Sequence, residues 1–584
     1  TLDSPIKVAK YGISSVISIV DDVIIEKMNE YYSTKFEIPY KSISTKVEDY
    51  RAKRITSYLN TVDTIVKHKF DNLKKSFETK SNELEKYMDL LPDFSELKQN
   101  FVKTIQNNPI KEEVHNWIQN NLKPGNIDVN IMTKLDKANF KGNEKLPTEF
   151  NDAHAALRGF ANSKLNSSVV LSAGMNPRLY AYISQFHDFY PNEKGEIKKK
   201  IILKVSDYRS ALIQGKFLAK KGLWVSEYRI ESGLNCGGHA FATDGYLLGP
   251  VLAEFKKNRE ELTTSIQNIL NQALLQQERS IPNTPLSIKI TAQGGVGTTE
   301  EHQFLINQYN LDSVGWGSPF LLVPEATTVD KDTLEKLVKA KEKDLYLSNI
   351  SPLGIPFHNL KGNTKDLEKN ALINKKRPGS SCPKKFVALN KEFKETGICT
   401  ASREYQYLKI KELDSANLPT DEHQQKYNQI IEKSCTCVGL GTSALLAYGL
   451  DTKTEGTGVS ICPGPNMAYY SKIMSLKNIT DHIYGRDNVI SKTDRPNLFI
   501  KELQIYIDFL KKKVTDIKGN IIPKEEKYLQ NFAKNMKEGV LYYNQLFSEA
   551  NESFKNIPSI LEELKINTAI LLQISQKIKN LKTC

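Results

Sequence analysis

Eight short β-rich runs punctuate the first 316 residues of this chain, at 6–10, 16–20, 129–132, 169–172, 201–205, 223–228, 287–291 and 313–316, and they leave few folds open. Helical sequence separates them, and strands alternating with helices predict βα units and a parallel sheet rather than a sandwich. Val169-Val170-Leu171 and Ile201-Ile202-Leu203 are apolar without alternation, as parallel strands covered on both faces are. Eight such units predict an α/β fold of the TIM (β/α)8 barrel kind.

The intervals are uneven, and that sets the domain plan. Residues 22–125 form a long insertion between the second and third runs. Stretches such as 50–90 carry apolar residues at three- and four-residue intervals with charges between them, so the insertion is expected to be helical. Beyond residue 328 the sequence becomes turn-rich, as in Asn349-Ile350-Ser351-Pro352-Leu353-Gly354, and from 497 to 582 it returns to long amphipathic helices. The plan is a barrel at 1–328, a cysteine-containing accessory region at 329–490 and a helical region at 491–584, so the barrel carries a helical insertion and a mixed and helical C-terminal extension.

The net charge is +13, but the lysines at 67–86 and 501–513 alternate with Glu and Asp. Such spacing describes solvated helix faces, so nucleic-acid binding is not expected, whereas an anionic cofactor or substrate suits a basic protein. No run of about 18 apolar residues predicts a membrane span, and the first twenty residues lack the order of a signal peptide, so a cytoplasmic location is expected. The long helices offer surfaces for a partner protein or for a second copy in a homo-oligomer.

Barrel enzymes carry their working groups on the loops after the carboxyl ends of strands. After the run at 223–228 comes Glu231-Ser232-Gly233-Leu234-Asn235-Cys236-Gly237-Gly238-His239. Gly237 and Gly238 allow close approach to a ligand, and His239 is the one imidazole held there, suited to proton transfer near neutral pH. After 287–291 comes Gln293-Gly294-Gly295-Val296-Gly297, opening a helix, and after the last run comes Gly315-Trp316-Gly317-Ser318. Two successive glycine turns at the end of a barrel predict a phosphate seat built from main-chain N–H groups and a helix N-terminus.

These three stretches resemble the nitronate monooxygenase (2-nitropropane dioxygenase) family, which includes FMN-dependent enoyl reductases. The resemblance rests on Glu231, Gly237, Gly238 and His239, then Gln293, Gly294, Gly295 and Val296, then Gly317, Ser318, Phe320, Glu325 and Ala326, and it spans roughly 169–328. It departs from the family in the extra residues Gly233 to Cys236. The resemblance implies FMN as cofactor, with Gly294, Gly295, Gly317 and Ser318 at its phosphate, Gly237, Gly238 and Gly297 among its other contacts, Lys204 near its ring and His239 as the proton-transferring residue. By position after strands, Lys134 and Asn176 join the candidate cofactor contacts. A small-molecule substrate follows, with molecular oxygen as oxidant in a monooxygenase or NAD(P)H as donor in an enoyl or quinone reductase. An inactive barrel serving as a binding scaffold is the reading from another class.

Cys382, Cys399, Cys435, Cys437 and Cys462 crowd into one region on turns. Turn-borne thiolates ligate iron–sulfur clusters, which would exchange electrons with a flavin. Sixteen residues separate Cys382 from Cys399 and 24 separate Cys437 from Cys462, a spacing that matches neither a ferredoxin run nor a zinc ribbon. Buried free thiols are the other reading of the same residues.

Overall fold

The computed structural model describes residues 1–19, 21–79, 81–107, 110–131, 136–172, 174–235, 244–490, 494–517, 521–549 and 554–581. The strands in chain order are β1 (Ser15–Ser18), β2 (Ile127–Asn130), a small hairpin of β3 (Phe140–Lys141) and β4 (Glu144–Lys145), β5 (Ser168–Leu171), β6 (Lys200–Val205), β7 (Val225–Glu231), β8 (Lys289–Gln293), β9 (Ser313–Gly315), and a second hairpin of β10 (Leu345–Ser348) and β11 (Phe357–Leu360). Seven of them make one curled sheet in the order β1-β2-β5-β6-β7-β8-β9. Every pairing in it is parallel.

Apart from the hairpin, each strand lies beside its predecessor in the chain, the singly wound order of a barrel. The sheet nevertheless has two edges. Among the described residues no ladder joins β1 to β9. The expected first strand at 6–10 is instead the helix Ser4–Val8 followed by a 3-10 turn, Ala9–Tyr11. Pro5 in the first turn explains the difference: its fixed φ and missing N–H suit a helix start, and five residues with apolar Ile6, Val8 and Ala9 between lysines do not specify a strand against that.

The N-terminal segment still joins the β1 edge to the chain that follows β9. Ser18 N donates to Thr1 O at 2.7 Å, while Ser4 Oγ donates to Ala326 O at 2.6 Å and Lys7 Nζ to Pro324 O at 2.9 Å. The buried carboxylate of Asp3 accepts from Tyr32, Thr328 and Tyr448 hydroxyls at 2.8, 2.9 and 2.7 Å. A lone buried carboxylate would be costly; three donors make it tolerable.

The insertion is helical as expected, in Asp22–Lys35, Tyr50–Thr79, Glu83–Asp89, Glu96–Gln106 and Lys111–Asn121. One hydrophobic core takes in the outward faces of the sheet (Val129, Val169, Leu171, Leu203, Tyr228, Ile230, Ile290), the first two insertion helices (Ile24, Tyr58, Val62) and the C-terminal helices (Phe499, Tyr506, Phe532, Tyr543, Phe547). The last of these ride on Leu498–Asp516 and Pro523–Glu549, and Gly249 N donates to Tyr543 Oη at 3.0 Å. The C-terminal helices therefore share the sheet's core instead of forming one of their own. No described helix is long and apolar enough to cross a membrane.

Candidate functional site

Over β7 and β8 the inward face of the sheet is polar, and that face leads to the site. Along β7 the apolar Tyr228 and Ile230 face the core while Glu227, Arg229 and Glu231 take the alternate side, paired in register with Thr291 and Gln293 of β8. Glu227 binds Arg229 Nε at 2.9 Å and accepts from Thr291 Oγ1 at 2.6 Å. Across the sheet, burial lifts Asp128 of β2 to about 6 against the pull of Arg229.

At the carboxyl end, one oxygen of Glu231 gathers three partners: Lys204 Nζ at 3.0 Å, Asn235 Nδ2 at 2.6 Å and Gln293 Nε2. Lys204 thus meets the ends of β7 and β8 as an ion pair, not as a free strand-end lysine.

Beside this cluster the two glycine turns converge. Gly294, Gly295, Val296, Gly315, Trp316, Gly317 and Ser318 line one polar cavity of about 100 Å³, closed by Asn235, Gln293 and Asn466. Gly294 and Gly295 have φ of +107° and +83°, a left-handed pair that side chains resist. A Cβ on Gly295 would also lie 2.4 Å from Leu234.

Three successive carbonyls of this turn are taken by side chains. Ser232 Oγ donates to Gly294 O at 3.1 Å, Arg495 to Gly295 O at 2.8 Å and Asn466 Nδ2 to Val296 O at 3.0 Å. Among the described residues none accepts from the N–H of Gly295, Val296 or Ser318. An anion is what such a set of N–H groups would complement.

The clamp on the turn comes from far along the chain. Arg495 holds Glu301 through both oxygens at 2.7 and 2.9 Å and reaches Asn466 Oδ1 at 2.9 Å. Glu301 also accepts from Leu498 N at 2.8 Å and from Gly297 N at 2.9 Å. The Gly297 amide is therefore committed within the protein, and Gly297 is not among the residues that line the cavity. Ser318 lines the cavity, with its hydroxyl donating to Pro463 O at 2.6 Å.

His239, Gly237, Gly238 and Cys236, and likewise Lys134, lie outside the described residues. Both flanks of the His239 loop are tied to one side chain: Glu502 accepts from Gly233 N at 3.3 Å and from Leu248 N at 2.9 Å. Burial pushes Glu502 up to about 7, with those two N–H groups opposing. Asn176 has a local duty that its position after β5 had suggested otherwise: it caps the helix Pro177–Ile183 through Leu179 N and donates to Asp136.

A second, open cavity of about 1,420 Å³ has a basic lining that includes Lys137, Lys376, Arg377, Lys385, Lys394 and Arg403. Cys382 and Cys399 stand in its wall. Its loop is moored to the start of the first insertion helix by Lys384, which binds Asp21, the cap of Asp22–Lys35, and Glu455.

The sequence reading missed Glu301, Asn466, Arg495 and Glu502. Only Asn466 carried a local signal, the Pro463-Gly464-Pro465-Asn466 turn; the others are polar residues whose partners lie up to about 270 positions away.

No protein-family model matches the chain, and no curated protein matches it. Among solved structures it is similar to the crystal structure of the enoyl reductase domain of MlnA from the macrolactin biosynthesis cluster of Bacillus amyloliquefaciens, at 16% identity and a TM-score of 0.34, over 69% of this chain and 89% of that one. So remote a likeness assigns no activity. The cavity geometry is left to speak for itself.

Proposed function

We propose that this chain is an FMN-dependent oxidoreductase of the nitronate monooxygenase-like class. The observation that carries the reading is the convergence of two glycine turns on one small polar cavity at the carboxyl ends of β8 and β9. The residues fit the group: left-handed glycines at Gly294 and Gly295, N–H donors that meet no acceptor among the described residues, and a following helix, Thr299–Tyr309, whose N-terminus adds positive potential.

Gly294, Gly295, Val296, Gly317 and Ser318 would hold the phosphate, and Lys204, steadied by Glu231, would stand near the ring. Bound FMN supplies hydride or electron acceptance at its N5 position. The protein's own task is to place the substrate and move a proton. His239 takes a proton from the substrate carbon in the monooxygenase direction, or delivers one to the product in the reductase direction, and the imidazole suits both near neutral pH.

The basic cavity favours a second reading, an NAD(P)H-dependent enoyl or quinone reductase, because its lysines and arginines would complement a dinucleotide's phosphates. Absorption spectroscopy of the purified chain, alone and after incubation with FMN, tests the proposal. A flavin spectrum released as FMN on denaturation is expected; a chain that neither carries nor takes up FMN overturns the reading and leaves the scaffold. NAD(P)H oxidation with and without oxygen then separates the two activities. His239→Asn should keep FMN and lose at least about a hundredfold in turnover; unchanged turnover would remove His239 from proton transfer.

A further inference from the structure

We infer that Cys382, Cys399, Cys435 and Cys437 form a four-sulfur site for a single thiophilic divalent cation, zinc, which ties the accessory loops together. The inference is independent of the flavin reading.

The first ground is convergence. These four cysteines arrive from three loops, 380–385, 398–402 and 434–438, and all four line one enclosed, apolar cavity with Pro352, Val387 and Ala401. The fifth, Cys462, sits apart in a small cluster with Ile350 and Phe357. Cys382, Cys399, Cys435 and Cys437 are free thiols.

The second is size. The cavity holds about 10 Å³, the space of one water-sized sphere. One ion fits such a space, whereas the several irons and sulfides of the cluster expected from sequence do not.

The third is the spacing of the sulfurs. Cys435 Sγ and Cys437 Sγ stand 3.5 Å apart. A disulfide needs about 2.05 Å. Neighbouring sulfurs on a tetrahedral zinc with Zn–S near 2.3 Å stand about 3.8 Å apart, close to what is seen. Cys382 and Cys399 form the other interacting pair. The sulfurs are set as two such pairs, and no three described ligands yet enclose a point at bonding distance, so binding draws the pairs together.

The surroundings match the charge of the product. Main-chain N–H groups of Lys385, Ala401 and Cys437 meet the sulfurs of Cys382, Cys399 and Cys435, while Lys385 and Lys137 face Cys382 and Lys365 faces Cys435. Four thiolates on a divalent cation carry two net negative charges, which those groups offset; the thiol protons leave to solvent as the metal binds.

The fourth ground is need. The helix Thr420–Glu432 buries no residue, and Arg403–Ser415 buries only Tyr405, Gln406 and Leu413. A segment with so little apolar burial requires a staple, and a structural metal is one of the few available.

The test is metal analysis of the full chain purified under reductant, followed by replacement with cobalt. One zinc per chain without iron is expected, and the cobalt form should show the sulfur-to-metal charge-transfer and tetrahedral ligand-field bands of a four-thiolate site. Each of Cys382→Ser, Cys399→Ser, Cys435→Ser and Cys437→Ser should lower metal content to below about a tenth of the parent, with Cys462→Ser unchanged. Iron with acid-labile sulfide, no uptake of zinc or cobalt, or equal loss in Cys462→Ser would each overturn the inference. Should the serine variants fail to fold, the cobalt spectrum of the parent chain decides.

Discussion

The two glycine turns and the three cysteine loops are both irregular backbone, yet they are held in opposite ways. Around the glycine turn, the carbonyls of Gly294, Gly295 and Val296 each accept from a side chain, and a buried Arg495–Glu301 pair locks the clamp from behind. Around Cys382, Cys399, Cys435 and Cys437 two of the neighbouring helices, Arg403–Ser415 and Thr420–Glu432, bury little, and the four thiols chiefly meet one another. The contrast teaches where protein contacts suffice to fix an irregular turn, and where something other than protein is needed.

The largest expected effect comes from breaking the clamp. Arg495→Ala leaves Glu301 charged and buried, and should cost about 3–5 kcal/mol in denaturant unfolding. A cost below about 1 kcal/mol would mean that the turn stands without its clamp.

Glu502→Gln probes the anchors of the His239 loop. Burial raises Glu502 to about 7 from the ordinary 4.5, so its folded form prefers the proton. The sign follows: stability fully present below about 4.5 is lost as pH rises toward 7. Across that window the parent should lose on the order of 3 kcal/mol more than Glu502→Gln, read by denaturant unfolding at a series of pH values. Parallel curves for the two proteins would show that Glu502 does not titrate there.

Gly295→Ala should cost about 1–3 kcal/mol, from its positive φ and the approach of Leu234, and should weaken FMN uptake more than overall stability. Flavin fluorescence titration against thermal unfolding separates the two; full FMN affinity would detach the turn from the phosphate. The smallest effect is expected at Lys426→Ala, on the exposed helix of the cysteine region, where its ion pair with Glu422 is open to solvent. A change within about 0.5 kcal/mol sharpens the contrast, and a larger one on thermal unfolding would show that this helix is held by more than its burial suggests.

Much of the sheet was legible in the sequence because parallel strands buried on both faces need near-continuous apolar runs, as at 169–171 and 201–203. The run at 6–10 misled because Ile6 and Val8 are as apolar as a strand, and only Pro5 marked a helix start. Of the site, the glycine turns were legible since their backbone demands glycine, while Arg495, Glu301 and Glu502 were not. A buried charge has no local pattern; its meaning lies in a partner brought near by folding. The cysteine spacing looked unlike any metal motif because the loops, not the chain, bring the sulfurs together.

Asp3 carries a consequence for how the chain is assembled during synthesis. Its carboxylate needs hydroxyls from Tyr32, Thr328 and Tyr448, the last separated from it by 445 positions. Asp3 and its neighbours therefore wait for hydroxyls made 325 and 445 positions later before they can settle, and the edge of the sheet that they cover stays unsealed until those positions have been synthesised.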